Sequence, residues 1–128
     1  MAHSPEFLKI VNASKARIRE TDIAGADEIL RKDPQAVLID VREDCEWEVE
    51  RVQGAIHIGK GVIERDIEKL VPDKSKTLLL YCGGGFRSAL AADALQQMGY
   101  RNVISIDGGI KAFKEAGKEM EGGSVRTS

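Results

Sequence analysis

Cys82 is followed by Gly83-Gly84-Gly85-Phe86-Arg87-Ser88, and the stretch lies between the apolar run Leu78-Leu79-Leu80 and the helix-patterned segment Ala89 to Met98. A thiol is therefore held where a strand ends and a helix begins. A glycine-rich turn lets consecutive backbone N–H groups point at one spot, and the helix adds the partial positive charge of its N-terminus. Both favour an anion. An ordinary thiol, with a pKa of ~8.5, is only about 3% thiolate at pH 7, whereas one at a helix N-terminus beside a cation falls to ~3.5–7.5. Cys82 reads as a nucleophile. Around it the backbone from Gly83 to Ser88 forms an anion cradle, to which Arg87 adds a planar fork of donors and Ser88 a hydroxyl. A buried structural cysteine would need none of these neighbours: three glycines and an arginine at a helix start have no packing purpose.

Other reactive residue types are fewer. Asp40-Val41-Arg42 follows a second apolar run and reads as a salt-bridged support that presents positive charge to an anionic substrate. Cys45 sits in the acidic stretch Glu43-Asp44-Cys45-Glu46, where neighbouring carboxylates disfavour a thiolate, so it reads as a bystander. His57 reads as a structural histidine at a strand end, since no orienting carboxylate stands near it in sequence. His3 belongs to a loose N-terminal end, and Trp47, the only tryptophan, reads as a core anchor for an acidic helix.

The elements that must position Cys82 follow from hydrophobic periodicity. Ala36 to Ile39, Leu78 to Tyr81 and Val103 to Ile106 are continuous apolar runs separated by helix-patterned sequence, which predicts a parallel sheet covered on both faces. Phe7, Ile10, Val11 and Ile18 predict an N-terminal amphipathic helix leading to a short extended piece near Arg17 to Glu20. Thr21 is expected to cap the next helix, whose apolar face carries Ile23, Ala26, Ile29 and Leu30 and which stops before Asp33-Pro34. An acidic helix around Glu43 to Glu50, a short strand at Ala55 to Ile58 and a helix with Ile63, Ile67 and Leu70 come next. Gly99 ends the helix after Cys82 as a left-handed cap, and Asp107-Gly108-Gly109 turns the chain into a last helix through Ile110 and Phe113. In such a sheet ligands bind beyond the carboxyl ends of the strands, where the segments at Asp40, Cys82 and Asp107 converge.

With 128 residues, 42% hydrophobic and 31% charged, the chain has the size and balance of one domain, expected over residues 6–117 with loose ends at 1–5 and 118–128. A net charge of -2 without a basic block, and few aromatics, argues against a nucleic-acid partner. No segment has the length of a membrane span or the pattern of a secretion signal, so no membrane partner and a cytoplasmic location are expected. Two separated cysteines and two histidines supply neither a disulfide framework nor a metal site.

From Leu38 to about Gly117 the sequence resembles the rhodanese-like sulfurtransferase family, in its small single-domain members. Leu38-Ile39-Asp40-Val41-Arg42 with Glu46-Trp47, Gly54-Ala55-Ile56-His57-Ile58, Cys82 to Ser88 and Asp107-Gly108-Gly109 carry the match. Glu50-Arg51-Val52 stands where the family usually has Gly-His-Ile, and Ile110 and Phe113 stand where tryptophans are common. The resemblance implies an α/β rhodanese-like fold with a five-stranded parallel sheet flanked by helices on both faces. It also implies that Cys82 carries a persulfide, that the backbone from Gly83 to Ser88 lines the pocket, and that no cofactor or metal is needed. A small-molecule or protein sulfur donor such as thiosulfate, and a thiol acceptor, would be the partners.

Two other functions compete with sulfur transfer. Loops of cysteine phosphatases and arsenate reductases also pair Cys with Arg, but they carry one residue more between them than Gly83 to Phe86 provide, and one residue spans up to ~3.5 Å of chain. The shorter ring suits a single extra sulfur better than a phosphate. A non-catalytic interaction module on the same fold is disfavoured by the intact cysteine, glycine run and arginine.

Overall fold

A computed structural model describes residues 3–122. The elements run α1 (Pro5–Lys15), β1 (Arg19–Thr21), α2 (Ile23–Lys32), β2 (Val37–Asp40), α3 (Asp44–Val49), β3 (Arg51–Val52), β4 (Ile56–His57), α4 (Ile63–Leu70), β5 (Thr77–Tyr81), α5 (Phe86–Gln97), β6 (Asn102–Ile106), α6 (Gly109–Glu115) and β7 (Met120–Glu121). Five strands form one sheet in the order β1-β6-β5-β2-β4, all parallel. β5 is central, with Leu80 opposite both Ile39 and Ser105.

The apolar runs become strands because both faces of the sheet are covered. Leu78 and Leu80 point to one face and pack with Ile39, Ile63, Ile67, Ala92 and Leu95. Leu79 and Tyr81 point to the other, among Leu38, Ala26, Ile104, Ile106, Ile110 and Phe113. Each fully buried Leu or Ile contributes about 1.5–3 kcal/mol. The fold is thus the α/β architecture expected from the sequence, and each strand ends at the same edge.

Several local expectations are corrected. Asp22, not Thr21, caps α2: its Oδ1 accepts from Gly25 N at 2.8 Å. Thr21 belongs to β1, where its carbonyl accepts from Asp107 N, so its backbone is committed to the sheet. The N-terminal stretch is less loose than expected, since Ser4 Oγ caps α1 at Phe7 N and Pro5 occupies the first helical turn. At the other end Met120–Glu121 pairs antiparallel with Arg51–Val52, so this part of the expected loose end is held; residues 123–128 lie outside the described residues. Trp47 is not a core anchor. It is half-buried, with its ring stacked on His57 at 4.9 Å and the Arg51 guanidinium 4.8 Å from its centroid. Leu70, expected on the apolar face of α4, points outward from the last turn, while Ile63 and Ile67 are buried.

Two polar networks fix the frame of the site. Asp93 on α5 accepts from Ser14 Oγ at 3.1 Å and from Arg17 Nη2 at 2.6 Å, which pins α1 across α5. Asp40 at the end of β2 is fully buried and takes a two-pronged bond from the Arg42 side chain, at 2.9–3.1 Å, as well as the Arg42 backbone N–H. The second nitrogen of that fork also donates to Glu50 O, tying the β2 loop to the end of α3.

Candidate active site

β5 ends at Tyr81 and α5 begins at Phe86, so Phe86, Arg87 and Ser88 form the first helical turn rather than a loop before a helix starting at Ala89. The difference matters because the orphan N–H groups of that turn then face back toward Cys82. Gly85 stands at the N-cap with φ +102°, a left-handed conformation that a side chain disfavours, and a Cβ there would meet Asp107 and Gly108 at 3.2–3.3 Å. Gly109, at φ +56°, leaves still less room: a Cβ would lie 2.6 Å from Gly83 C and closer to Cys82 O. Ile110 N donates to that same Cys82 carbonyl at 2.8 Å. The Asp107-Gly108-Gly109 turn is therefore the floor against which the cysteine loop is pressed.

Cys82 is 1% exposed, and its Sγ is surrounded by donors. Gly85 N lies at 3.1 Å, Ser88 N at 3.4 Å and Ser88 Oγ at 3.5 Å. Burial pushes the thiol up, but the hydrogen bonds from the Ser88 hydroxyl and the Ser88, Gly85 and Gly84 amides outweigh it, and the pKa falls below the ordinary thiol value. Ser88 Oγ in turn lies 2.8 Å from Ser105 Oγ, on fully buried Ser105 of β6. When the thiol ionises, Ser88 donates to sulfur and Ser105 is left to donate to Ser88. Such an arrangement can hold a thiolate, and an anion built on it, without a metal or an adjacent base.

Arg87 is on the pocket wall but is not free. Its two terminal nitrogens grip Glu46 of α3 at 2.7 and 3.2 Å, and that guanidinium holds the Glu46 carboxyl below the usual carboxylate range. The amides and hydroxyl of the loop bond the sulfur directly, whereas Arg87 acts on Cys82 through its charge and not through a hydrogen bond. Replacing Ser88 with alanine is accordingly expected to move the midpoint of Cys82 alkylation by a neutral reagent to higher pH, because loss of a donor to sulfur disfavours the thiolate. Arg87→Ala is expected to move it less. A larger shift for Arg87→Ala in the measured pH–rate profiles would reverse this ranking.

The pocket above the sulfur measures about 680 Å³ and takes in the sequence-predicted Cys82, Gly83, Gly84, Phe86, Arg87 and Arg42. Gly85 and Ser88 serve it from beneath through their bonds to Sγ, and Asp40 acts one step further away by holding Arg42. Cys45 is exposed on a different pocket with Glu43, Asp44, Gly59, Gly61 and Val62. His57 bonds to Arg42 O through Nε2 at 2.8 Å, consistent with its structural reading, and Asp44 comes to 3.7 Å of its other ring nitrogen.

Sequence reasoning missed four contributors. Glu46 engages Arg87 across 41 positions, a pairing that no local spacing announces. Ser105 was legible as a polar break in the apolar run Val103 to Ile106, yet only the sheet shows that it reaches Ser88. His3 and Phe7 also line the pocket: His3 lies 4.5 Å from Phe86, centroid to centroid, so it is not part of a detached end.

These features define a member of the rhodanese-like domain family, and the chain belongs to it: the family's model matches residues 24–116. The chain is similar to the tRNA uridine(34) hydroxylase of Sodalis glossinidius (strain morsitans), 33% identical over 95 residues, which are 71% of this chain and 27% of that protein. It thus spans about a quarter of that relative's length. Among solved structures it is similar to the polysulfide-sulfur transferase homodimer of Wolinella succinogenes, 27% identical with a TM-score of 0.77, covering 93% of this chain and 89% of that one. It is also similar to a Rhodopseudomonas palustris protein of unknown function described as a possible tyrosine phosphatase, 25% identical with a TM-score of 0.79, covering 94% and 98% of the two chains. Among the described residues no helix is long and apolar enough to cross a membrane.

Proposed function

We propose that the protein is a sulfurtransferase that carries a sulfane sulfur on Cys82, from thiosulfate or a persulfide donor to a thiol acceptor. The observation that carries this reading is the ring of donors around a buried Sγ, from Gly85 N, Ser88 N and Ser88 Oγ. The Cys82 thiolate attacks the outer sulfur of thiosulfate. A bond forms between Sγ and that sulfur as the donor's S–S bond breaks, and sulfite leaves with the bonding pair. The loop amides hold the resulting persulfide. An acceptor thiolate then attacks the outer sulfur and Sγ leaves as thiolate, which gives ping-pong kinetics. The chemistry needs a compartment in which thiols stay reduced, as the cytoplasm is.

The description of one structural neighbour as a possible tyrosine phosphatase keeps phosphate-ester hydrolysis as a second reading. Two features weigh against it. The loop is one residue short of a phosphatase loop, and Arg87 spends its fork on Glu46 instead of facing an oxyanion.

Intact mass before and after thiosulfate treatment tests the proposal. One sulfur atom should be added, removed again by cyanide or dithiothreitol, and mapped to Cys82. Addition at Cys45, or rapid hydrolysis of an aryl phosphate without sulfur loading, would overturn it.

A further inference from the structure

Ser105 interrupts the apolar run Val103 to Ile106 of β6 and is fully buried. Its strand is paired on both edges, opposite Leu80 of β5 and Glu20 of β1. A hydroxyl buried at such a place costs free energy unless it is hydrogen-bonded, and an alanine would serve packing alone. Among the described residues the Ser105 side chain has one partner, Ser88 Oγ at 2.8 Å, and Ser88 Oγ lies 3.5 Å from Cys82 Sγ. The reactive sulfur thus ends a line of three bonded atoms whose far end stands on a different element of the fold.

That line cannot carry the Cys82 proton to solvent, because Ser88 and Ser105 are both fully buried and no acceptor follows Ser105. It can reverse its polarity instead. With Cys82 as a thiol, the S–H donates to Ser88 and Ser88 donates to Ser105. With Cys82 as a thiolate, Ser105 donates to Ser88 and Ser88 donates to the sulfur. The second arrangement is the stronger one, since a hydrogen bond to an anion polarises the bond behind it.

We propose that Ser105 is a positioning residue that acts through Ser88 to stabilise negative charge on Sγ, in the free thiolate and again when Sγ departs from the outer sulfur. The departure step rests on the sulfur-transfer reading; the effect on the free thiolate does not. In discharge an acceptor thiolate R–S⁻ attacks the outer sulfur of Cys82–S–S–H. The R–S bond to that sulfur forms, the Sγ–S bond breaks, and Sγ takes the bonding pair and leaves as thiolate. Charge and atoms balance, and no oxidant or reductant is consumed. A lower thiol pKa makes a sulfur leave faster and attack more slowly, so the two half-reactions respond to Ser105 with opposite sign once Cys82 is fully ionised. The other charged or titratable groups around the sulfur are Arg87 of α5, Glu46 of α3, Arg42 after β2, Lys111 of α6 and His3 before α1, and none of them bonds to Ser105.

The test has two arms, both on the full chain. In the first, alkylation by iodoacetamide is followed at the Cys82 peptide as a function of pH. Ser105→Ala should raise the midpoint by about 0.5 pH unit, the loss expected when a charge-assisted bond is no longer reinforced from behind. Ser105→Thr keeps the hydroxyl and should stay near wild type, and Ser105→Ala added to Ser88→Ala should shift nothing further. In the second arm, single turnovers are measured above both midpoints. Ser105→Ala should slow discharge to a thiol acceptor about 2-fold without slowing loading from thiosulfate or inorganic polysulfide. A residue that only packs would slow both half-reactions, or shift the midpoint equally with and without the Ser88 hydroxyl. Either result, or an unchanged midpoint in Ser105→Ala, overturns the inference while sulfur transfer stands. If neither donor loads Cys82, sulfur transfer falls, and the alkylation arm still decides what Ser105 does.

Discussion

Cys82→Ala is expected to lower kcat/KM for sulfur transfer by about a thousand-fold or more, because the sulfur that forms and breaks the covalent bond is gone. The fold should survive. Sγ is buried but small, and its hydrogen bonds come from Gly85, Ser88 and the Ser88 hydroxyl; Ser88 retains Ser105 as a partner for its side chain. A thermal midpoint within about 5 °C of wild type is therefore expected, corresponding to about 1 kcal/mol. Cys45→Ser, on the separate acidic pocket, should retain most of the activity. Thiosulfate–cyanide turnover alongside thermal unfolding reads both quantities. Appreciable turnover by Cys82→Ala, or a rate collapse in Cys45→Ser at unchanged stability, would contradict a mechanism centred on Cys82 alone.

The largest expected stability effect lies at Asp40. Its carboxylate is wholly buried and meets an Arg42 side chain that is 6% exposed, with both oxygens engaged by the guanidinium. Truncation to alanine leaves a buried cation whose remaining side-chain hydrogen bond, among the described residues, goes to Glu50 O, a situation that costs about 3–5 kcal/mol. That is a large share of the roughly 5–15 kcal/mol by which a domain is stable. Asp40→Asn keeps an acceptor and should lose less. Replacing Asp40 and Arg42 together by apolar residues should recover much of the loss, since no lone charge remains buried. Urea unfolding midpoints distinguish these cases. A loss below about 1 kcal/mol for Asp40→Ala would mean that water or a rearranged Arg42 solvates the charge. The consequence for function is local: Arg42 lines the pocket and its carbonyl is bonded by His57, so loosening Asp40 frees the pocket rim.

Much of this was legible along the chain because the signals are local. The runs that became β2, β5 and β6 are apolar at nearly every position since strands covered on both faces have no side that water can reach. The cysteine loop was legible for the same reason: Sγ is held by amides only a few residues downstream, and Gly85 is needed by the backbone of its own turn. Asp40 and Arg42 are two residues apart, so their pairing too was within reach of inspection.

What remained for the tertiary structure involves partners far apart in sequence, or a competition for the same group. Thr21 and Asp22 are both good caps by type. The sheet decided between them, because pairing with Ile106 and the bond to Asp107 N hold Thr21 in β1. Trp47 was assigned to the core by its size, but α3 buries none of its residues, and the ring instead lies between His57 and Arg51. Arg87 looked like an anion fork until α3 brought Glu46 beside it, and Phe7 reaches the pocket because Asp93 anchors α1 over α5. The ring of donors around Cys82 was thus determined by short-range backbone geometry that the amino-acid order dictates. Which partner Arg87 takes, and how large a space stands above the sulfur, was decided by packing, because ion pairing and cavity shape depend on distances between elements that the order of residues does not encode locally.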